Sequence, residues 1–143
     1  MARGDMLGDN YTLGGGAEIL NRPTYEAVSM TIDFSGATGS SDGFKKADTG
    51  ELFLPAGMPV DKDGKPKKDT PFADAVGILF CDVYAHRPQG TILTKAYVNV
   101  EAAQKNADVT YDGKLVAELN GLGNRIRFEK NDGTVIKSDS AGE

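Results

Sequence analysis

The chain contains no tryptophan, one cysteine and one histidine among its 143 residues. A lone cysteine, Cys81, excludes an intramolecular disulfide, so we expect a protein that is made and kept in a reducing cytoplasm. Cys81 and His86 together cannot supply the three or four nitrogen and sulfur ligands of a zinc site in a monomer. The sequence therefore predicts no metal ion and no cofactor.

Long apolar runs and a concentrated basic surface are also missing. No stretch has the about 20 apolar residues of a membrane span, and the first ten residues lack the apolar core of a signal peptide. The net charge is -5, and aspartates dilute the one lysine cluster, which comprises Lys62, Lys65, Lys67 and Lys68. Because nucleic-acid phosphates require concentrated positive charge, we expect neither nucleic acid nor a membrane as partner.

Catalytic patterns are incomplete as well. His86 lies beside the predicted turn Arg87-Pro88-Gln89-Gly90, a position typical of an exposed loop histidine. A calcium-loop opening at Asp61-Lys62-Asp63-Gly64 fails because Lys65 occupies a ligand position and Phe72 stands where the bidentate glutamate belongs. Carboxylates could form a glycosidase pair, but aromatic residues make up only 8% of the chain. We interpret the protein as a non-enzyme that acts by binding.

What the sequence does contain is turn chemistry and alternating apolar residues. It has 18 glycines, and Asp-Gly pairs suited to hairpin turns recur at 42-43, 63-64, 112-113 and 132-133. The segment 75–100 is predicted to form a buried strand over 75–84, a turn at 87–90 and a second strand over 91–100. Alternation predicts another strand over 27–34, with Val28, Met30, Ile32 and Phe34 facing the core.

Further elements follow in the same way. Short helices are predicted over 100–107 and 114–121, and a strand over 125–129 precedes a turn and a short extended piece. Pro55 and Pro59 place the segment after Leu52 at a sheet edge or barrel rim. The predicted fold class is mainly β: a small β-barrel or β-tulip-like domain of short antiparallel strands with one or two short helices.

The two ends of the chain differ from this domain. Residues 1–24 mix glycines with isolated apolar residues that have no period, which indicates an extended N-terminal arm that binds a partner. The β-rich domain is predicted to span 25–137, and 138–143 form a small polar tail.

Several short motifs resemble those of the head decoration (cement) proteins of tailed bacteriophages, of the lambda head-stabilising type. They are Leu54-Pro55-Ala56-Gly57-Met58-Pro59-Val60, the charged hairpin after it, Asp74-Ala75-Val76-Gly77-Ile78-Leu79 and the strand from Ile92 to Val98. The similarity spans roughly residues 50 to 128. The longer front of this chain and its final hairpin depart from the shortest members of the family.

The resemblance implies a tulip-like domain that forms a homotrimer on the capsid and stabilises the head by binding the outer surface of the major capsid protein lattice. It implies a virion location, with the host cytoplasm as the place of assembly. The arm would carry the contact, through Leu7, Tyr11, Leu13, Ile19, Leu20, Arg22 and Pro23. The alternatives are a head-fibre base and a carbohydrate- or surface-binding module. In the binding module, Tyr84, Tyr97 and Tyr111 are the candidates for stacking against the ligand.

Overall fold

The computed structural model describes residues 18–40 and 42–138, and the mainly β prediction is confirmed over them. The strands are β1 (Glu26–Thr31), β2 (Lys45–Lys46), β3 (Leu52–Leu54), β4 (Pro59–Asp61), β5 (Ala75–Leu79), β6 (Val83–Tyr84), β7 (Gln89–Asn99) and β8 (Arg125–Glu129). The helices are α1 (Val100–Ala107) and α2 (Gly113–Asn120). The predicted tail, 138–143, lies outside the described residues except for its first residue.

The longest strand, β7, organises the larger sheet. The strand order is β1-β7-β5-β4, and β8 also pairs with β7. β1 pairs antiparallel with the first half of β7, and Ile78 and Leu79 of β5 lie opposite Leu93 and Ile92. The predicted strand over 91–100 is confirmed, and its apolar side chains are buried.

A second sheet, of order β2-β3-β6, packs against the first. The close approach is visible at Gly90 of β7, where an added Cβ would lie 3.0 Å from Val83 Cγ2 of β6. One continuous apolar core fills the space between the sheets and the helices. The strand predicted over 75–84 is thus two strands, because the chain leaves β5 at Phe80 and joins the other sheet at Val83.

The larger sheet is open, so the predicted barrel is not found among the described residues. β4 lies at one end of the strand order, which agrees with the edge position predicted from Pro59. β1 lies at the other end. Val28 is 50% exposed there, and the prediction that it faces the core is wrong because the edge strand is left partly uncovered.

Helix α1 has the predicted bounds. Asn99 caps its first turn, because the side-chain oxygen accepts a hydrogen bond of 2.9 Å from the amide of Ala102. α2 begins one residue earlier than predicted. Asp112 caps it by accepting bonds from the amides of Lys114 and Leu115, so the pair at 112-113 starts a helix rather than a hairpin turn.

Strand β8 departs from the expected antiparallel meander. It runs parallel to β7, with Lys95 opposite Arg125 and Asn99 opposite Glu129. A parallel partner requires a crossover connection, and α1 and α2 supply it. The turn predicted at 87–90 also shifts toward the N terminus: Arg87 donates its amide to the carbonyl of Tyr84, while Gln89 already pairs with Thr31 of β1.

Gly64 lies in the hairpin after β4, and its backbone packs closely against Thr31 at the end of β1. Its φ is +81°, and an added Cβ would lie 2.2 Å from the carbonyl oxygen of Thr31. Gly64→Ala should cost about 1 to 2 kcal/mol for the left-handed backbone and about 1 to 3 kcal/mol more for the clash. Gly50→Ala is the matched control, since Gly50 has a φ of +91° with nothing within 4 Å. Equal urea midpoints for Gly64→Ala and Gly50→Ala would contradict the predicted clash between the added Cβ at Gly64 and the Thr31 carbonyl.

Candidate docking site

Residues 19–21, near the start of the described chain, pair with β7. Leu20 forms an antiparallel bridge with Val98. Asn21 donates its amide to the carbonyl of Tyr97 at 2.8 Å, and Asn99 donates its amide to the carbonyl of Ile19 at 2.7 Å. The side chain of Ile19 is fully buried. Residues 19–22, here called the root, thus extend the edge of the larger sheet beyond β1.

Polar side chains fasten the root to β8. Glu129 accepts a hydrogen bond of 3.1 Å from Asn21 Nδ2 and lies 3.3 Å from Arg22 Nη2. Arg127 Nε lies 2.9 Å from the same carboxylate. Since the Glu129 side chain is only 11% exposed, two guanidinium groups and an amide compensate for a charge that is largely removed from water.

Aromatic and amide contacts complete the root. The guanidinium carbon of Arg22 lies 4.1 Å from the centre of the Tyr97 ring, a cation–π contact. Asn99 Nδ2 donates to Asn21 Oδ1 at 3.0 Å and to Asn131 Oδ1 at 3.1 Å. The root is therefore fixed to the domain by contacts of several kinds.

The structure divides the predicted arm residues into two groups. Leu7, Tyr11 and Leu13 lie outside the described residues. Ile19 and Leu20 pair with β7 of the same chain. Of the other two predicted arm residues, Arg22 pairs with Glu129. Pro23 is exposed in the bend between the root and β1.

A groove of about 680 Å³ opens between Tyr25, which precedes β1, and the chain from Phe80 to Thr91. The sequence alone did not predict this groove. Its apolar lining comes from Tyr25, Phe80, Val83 and Tyr84, and its polar lining includes Asp82 and Arg87. The rings of Tyr25 and Phe80 lie 4.8 Å apart. Tyr25 and Tyr84 are separated by 59 positions in sequence, and no local spacing indicates that they line one groove.

The thiol-bearing Cys81 and the imidazole-bearing His86 also line the groove. Burial raises the pKa of the Cys81 thiol, and the carboxylates of Asp82 and Glu18 raise it further. Since the thiolate is the nucleophilic form, this environment disfavours nucleophilic chemistry at Cys81.

His86 is paired with Glu51 of the neighbouring strand end. Its amide donates to Glu51 Oε2 at 2.8 Å, and its ring Nδ1 contacts the same oxygen. The hydrogen bond from the ring and then the one from the amide lower the pKa of Glu51. The pair closes the turn between β6 and β7 against β3.

The tyrosines considered for sugar stacking differ in availability. Tyr111 is buried, donates its hydroxyl to the carbonyl of Gly57, and has its pKa raised by burial. Tyr97 is covered by Arg22. Tyr84 stacks on Phe53 with ring centres 5.1 Å apart, and it is the one of the three that lines the groove.

Charged and metal-binding features are limited in the described part of the chain. Each lysine of the predicted cluster lies within 4 Å of a carboxylate: the pairs are Lys62–Asp63, Lys65–Asp33, Lys67–Asp61 and Lys68–Asp69. Within residues 18–40 and 42–138, no three histidine, cysteine or acidic side chains are arranged to hold a metal ion. Neither of the described helices has the length and apolar character needed to cross a bilayer.

Comparison of the chain with protein-family models, with curated proteins and with solved structures gives no match. The motifs that resemble decoration proteins coincide with buried elements, since 54–61 are all buried and 75–79 form β5. They therefore bear on the fold more directly than on a binding surface.

Glu129→Gln should loosen the root, because it removes the charge that Arg22 and Arg127 share. A charge-assisted hydrogen bond contributes about 1.5 to 3 kcal/mol, so exchange of the Asn21 amide should accelerate about tenfold or more. Hydrogen exchange resolved by residue measures this. Asp63→Asn is the control, because Asp63 pairs with Lys62 on the exposed surface. An unchanged Asn21 exchange rate in Glu129→Gln would show that the carboxylate does not fasten the root.

Glu51→Gln should destabilise the protein in a pH-dependent way. The folded-state pKa of Glu51 is lowered, so its stabilising contribution is present above the ordinary carboxyl pKa and is lost as the pH falls through the lowered value. The urea midpoints of the two proteins should therefore differ at neutral pH and converge in acid. Asp69→Asn, at an exposed carboxylate, should show no such convergence, and a constant difference for Glu51→Gln would refute the linkage.

Proposed function

We propose that the protein is a viral capsid decoration protein that binds the outer surface of the major capsid protein lattice through its N-terminal segment. The observation that carries the proposal is the root. Residues 19–22 are fixed to β7 and β8 by backbone and side-chain bonds, whereas the segment before them has a composition unlike that of the domain. A fixed root presents such a segment to a partner from a defined place.

Composition favours a role in binding for this segment. Residues 1–17 contain five glycines, and their large apolar residues are scattered without a period: Met1, Met6, Leu7, Tyr11 and Leu13. Isolated apolar residues of this kind cannot build a core of their own. A surface supplied by another protein would bury them.

The energetics point to a particular binding mode. Ordering 17 residues costs about 17 to 34 kcal/mol of backbone entropy. Burying the five large apolar side chains returns only about 8 to 15 kcal/mol. The difference requires hydrogen bonds, which the segment gains if it adds a strand to a sheet of the partner. We therefore propose β-augmentation of a capsid protein sheet.

A decoration protein stabilises a shell through many bound copies rather than through one tight contact. A micromolar dissociation constant corresponds to about 8 kcal/mol. Each bound copy favours the assembled shell over its separated subunits by mass action. Homotrimer formation on the shell, the oligomer that the resemblance implies, would add avidity because three segments would engage one lattice.

Removing residues 1–17 should abolish binding to the shell and leave the domain folded, because the root remains. Co-sedimentation with bare shells of the same virus should show binding at least about 100-fold weaker, while the circular dichroism and melting temperature of the free protein stay unchanged. The full chain should also raise the temperature at which those shells rupture.

A matched variant keeps the length and charge of the segment. Replacing Leu7, Tyr11 and Leu13 with serine should reproduce the loss of binding, whereas Leu122→Ala, at an exposed apolar residue of the domain, should not. Full binding by the truncated chain, or one rupture temperature with and without the protein, would refute the proposed function.

A further inference from the structure

One face of the larger sheet concentrates positive charge. Lys95 of β7 lies opposite Arg125 of β8, and Tyr97 lies opposite Arg127. The residues between them in each strand are buried in the core, so these four side chains lie on the outer face of the sheet. Arg22 of the root joins them, because its guanidinium lies over the Tyr97 ring. These five residues are here called the cationic face.

Carboxylates neutralise only part of this charge. Glu129 pairs with two of the arginines, and Glu26 Oε2 lies 3.9 Å from Lys95 Nζ. Arg125 is exposed, and within residues 18–40 and 42–138 no carboxylate lies within 4 Å of its guanidinium. Four cations and two carboxylates give this surface a charge of +2. Since the whole chain carries -5, its other residues carry -7.

A polar cleft of about 250 Å³ opens beside the cationic face. It is lined by Glu26, Thr94, Lys95, Gly123, Asn124 and Arg125. Pockets for small molecules have roughly 300 to 1,000 Å³, so this cleft suits a single acidic side chain better. A guanidinium presents parallel N–H donors that match the two oxygens of a carboxylate.

The charge of the whole chain favours a short acidic partner over nucleic acid. Duplex DNA carries one phosphate charge per about 1.7 Å of its length, so it would extend past the cationic face and meet the negative remainder of the chain. Exposed charges are screened beyond about 10 Å at moderate ionic strength. An acidic protein segment that covers only the cationic face therefore gains the attraction without the repulsion.

We propose that the cationic face binds an acidic segment of another protein, and that one carboxylate of this segment enters the cleft between Lys95 and Arg125. Arg22 and Arg127 each contact Glu129 through one nitrogen. Because a guanidinium has five N–H donors, both arginines can bind Glu129 and a carboxylate of the partner together. This surface does not include residues 1–17, so it is a contact in addition to the proposed capsid-binding segment.

An octaglutamate peptide added to the full-length protein tests the inference without a shell. At low ionic strength, the peptide should shift the amide NMR signals of Lys95, Tyr97, Arg125 and Arg127. The affinity should fall as salt is added, because the attraction is between exposed charges.

Two pairs of charge-matched variants test the cleft itself. Arg125→Gln should weaken peptide binding about fivefold, the upper end for one exposed ion pair. Lys62→Gln removes the same charge from an exposed pair with Asp63 and should leave the affinity unchanged. Glu26→Gln should tighten binding about twofold, because its carboxylate competes for Lys95. Asp63→Asn makes the same change in net charge and should have no effect.

Three results would overturn the inference. Equal affinities of Arg125→Gln and Lys62→Gln would show that net charge, rather than the cleft, governs binding. Absence of amide shifts at the cationic face with about millimolar peptide would show that it is only a solvated surface. Tighter binding of a single-stranded DNA oligonucleotide, with shifts at the same amides, would assign the face to nucleic acid.

Discussion

The close approach of β5 to β7 at Gly77 determines where the other elements lie. An added Cβ there would lie 2.3 Å from Ile92 Cγ2 and 2.8 Å from the carbonyl oxygen of Leu93. A residue without a side chain lets the two strands meet while both Ile92 and Leu93 stay fully buried. β7 then pairs with β1, with β8 and with the root, so this one glycine contact helps to position all three of them.

Strong local patterns allowed much of the fold to be predicted from the sequence. The alternation from Thr91 to Val100 and the helix predicted over 100–107 correspond to β7 and α1. Errors arose where tertiary contacts decide the outcome. Val28 alternates like a core residue but lies on an edge strand, and the parallel pairing of β8 depends on a crossover that no local spacing encodes.

The candidate site was less predictable, for a related reason. Ile19 and Leu20 belong to a glycine-rich stretch whose apolar residues have no period, and their partners, Asn99 and Val98, are 80 and 78 positions away. The groove unites Tyr25 with Phe80 and Tyr84, which belong to separate elements. Composition predicts a binding role for residues 1–24, but only the three-dimensional contacts show that residues 19–22 are fixed to the domain.

The bond between Asn21 and Glu129 links positions 108 residues apart. During synthesis, Glu129 is made 108 residues after Asn21, so this bond cannot form until the residues between them have been made. Contacts of such long sequence separation slow folding because the chain must first lose loop entropy. The root therefore lacks this partner while the intervening residues are made, and a chaperone that binds nascent chains would meet Ile19 and Leu20 before they are buried in the domain.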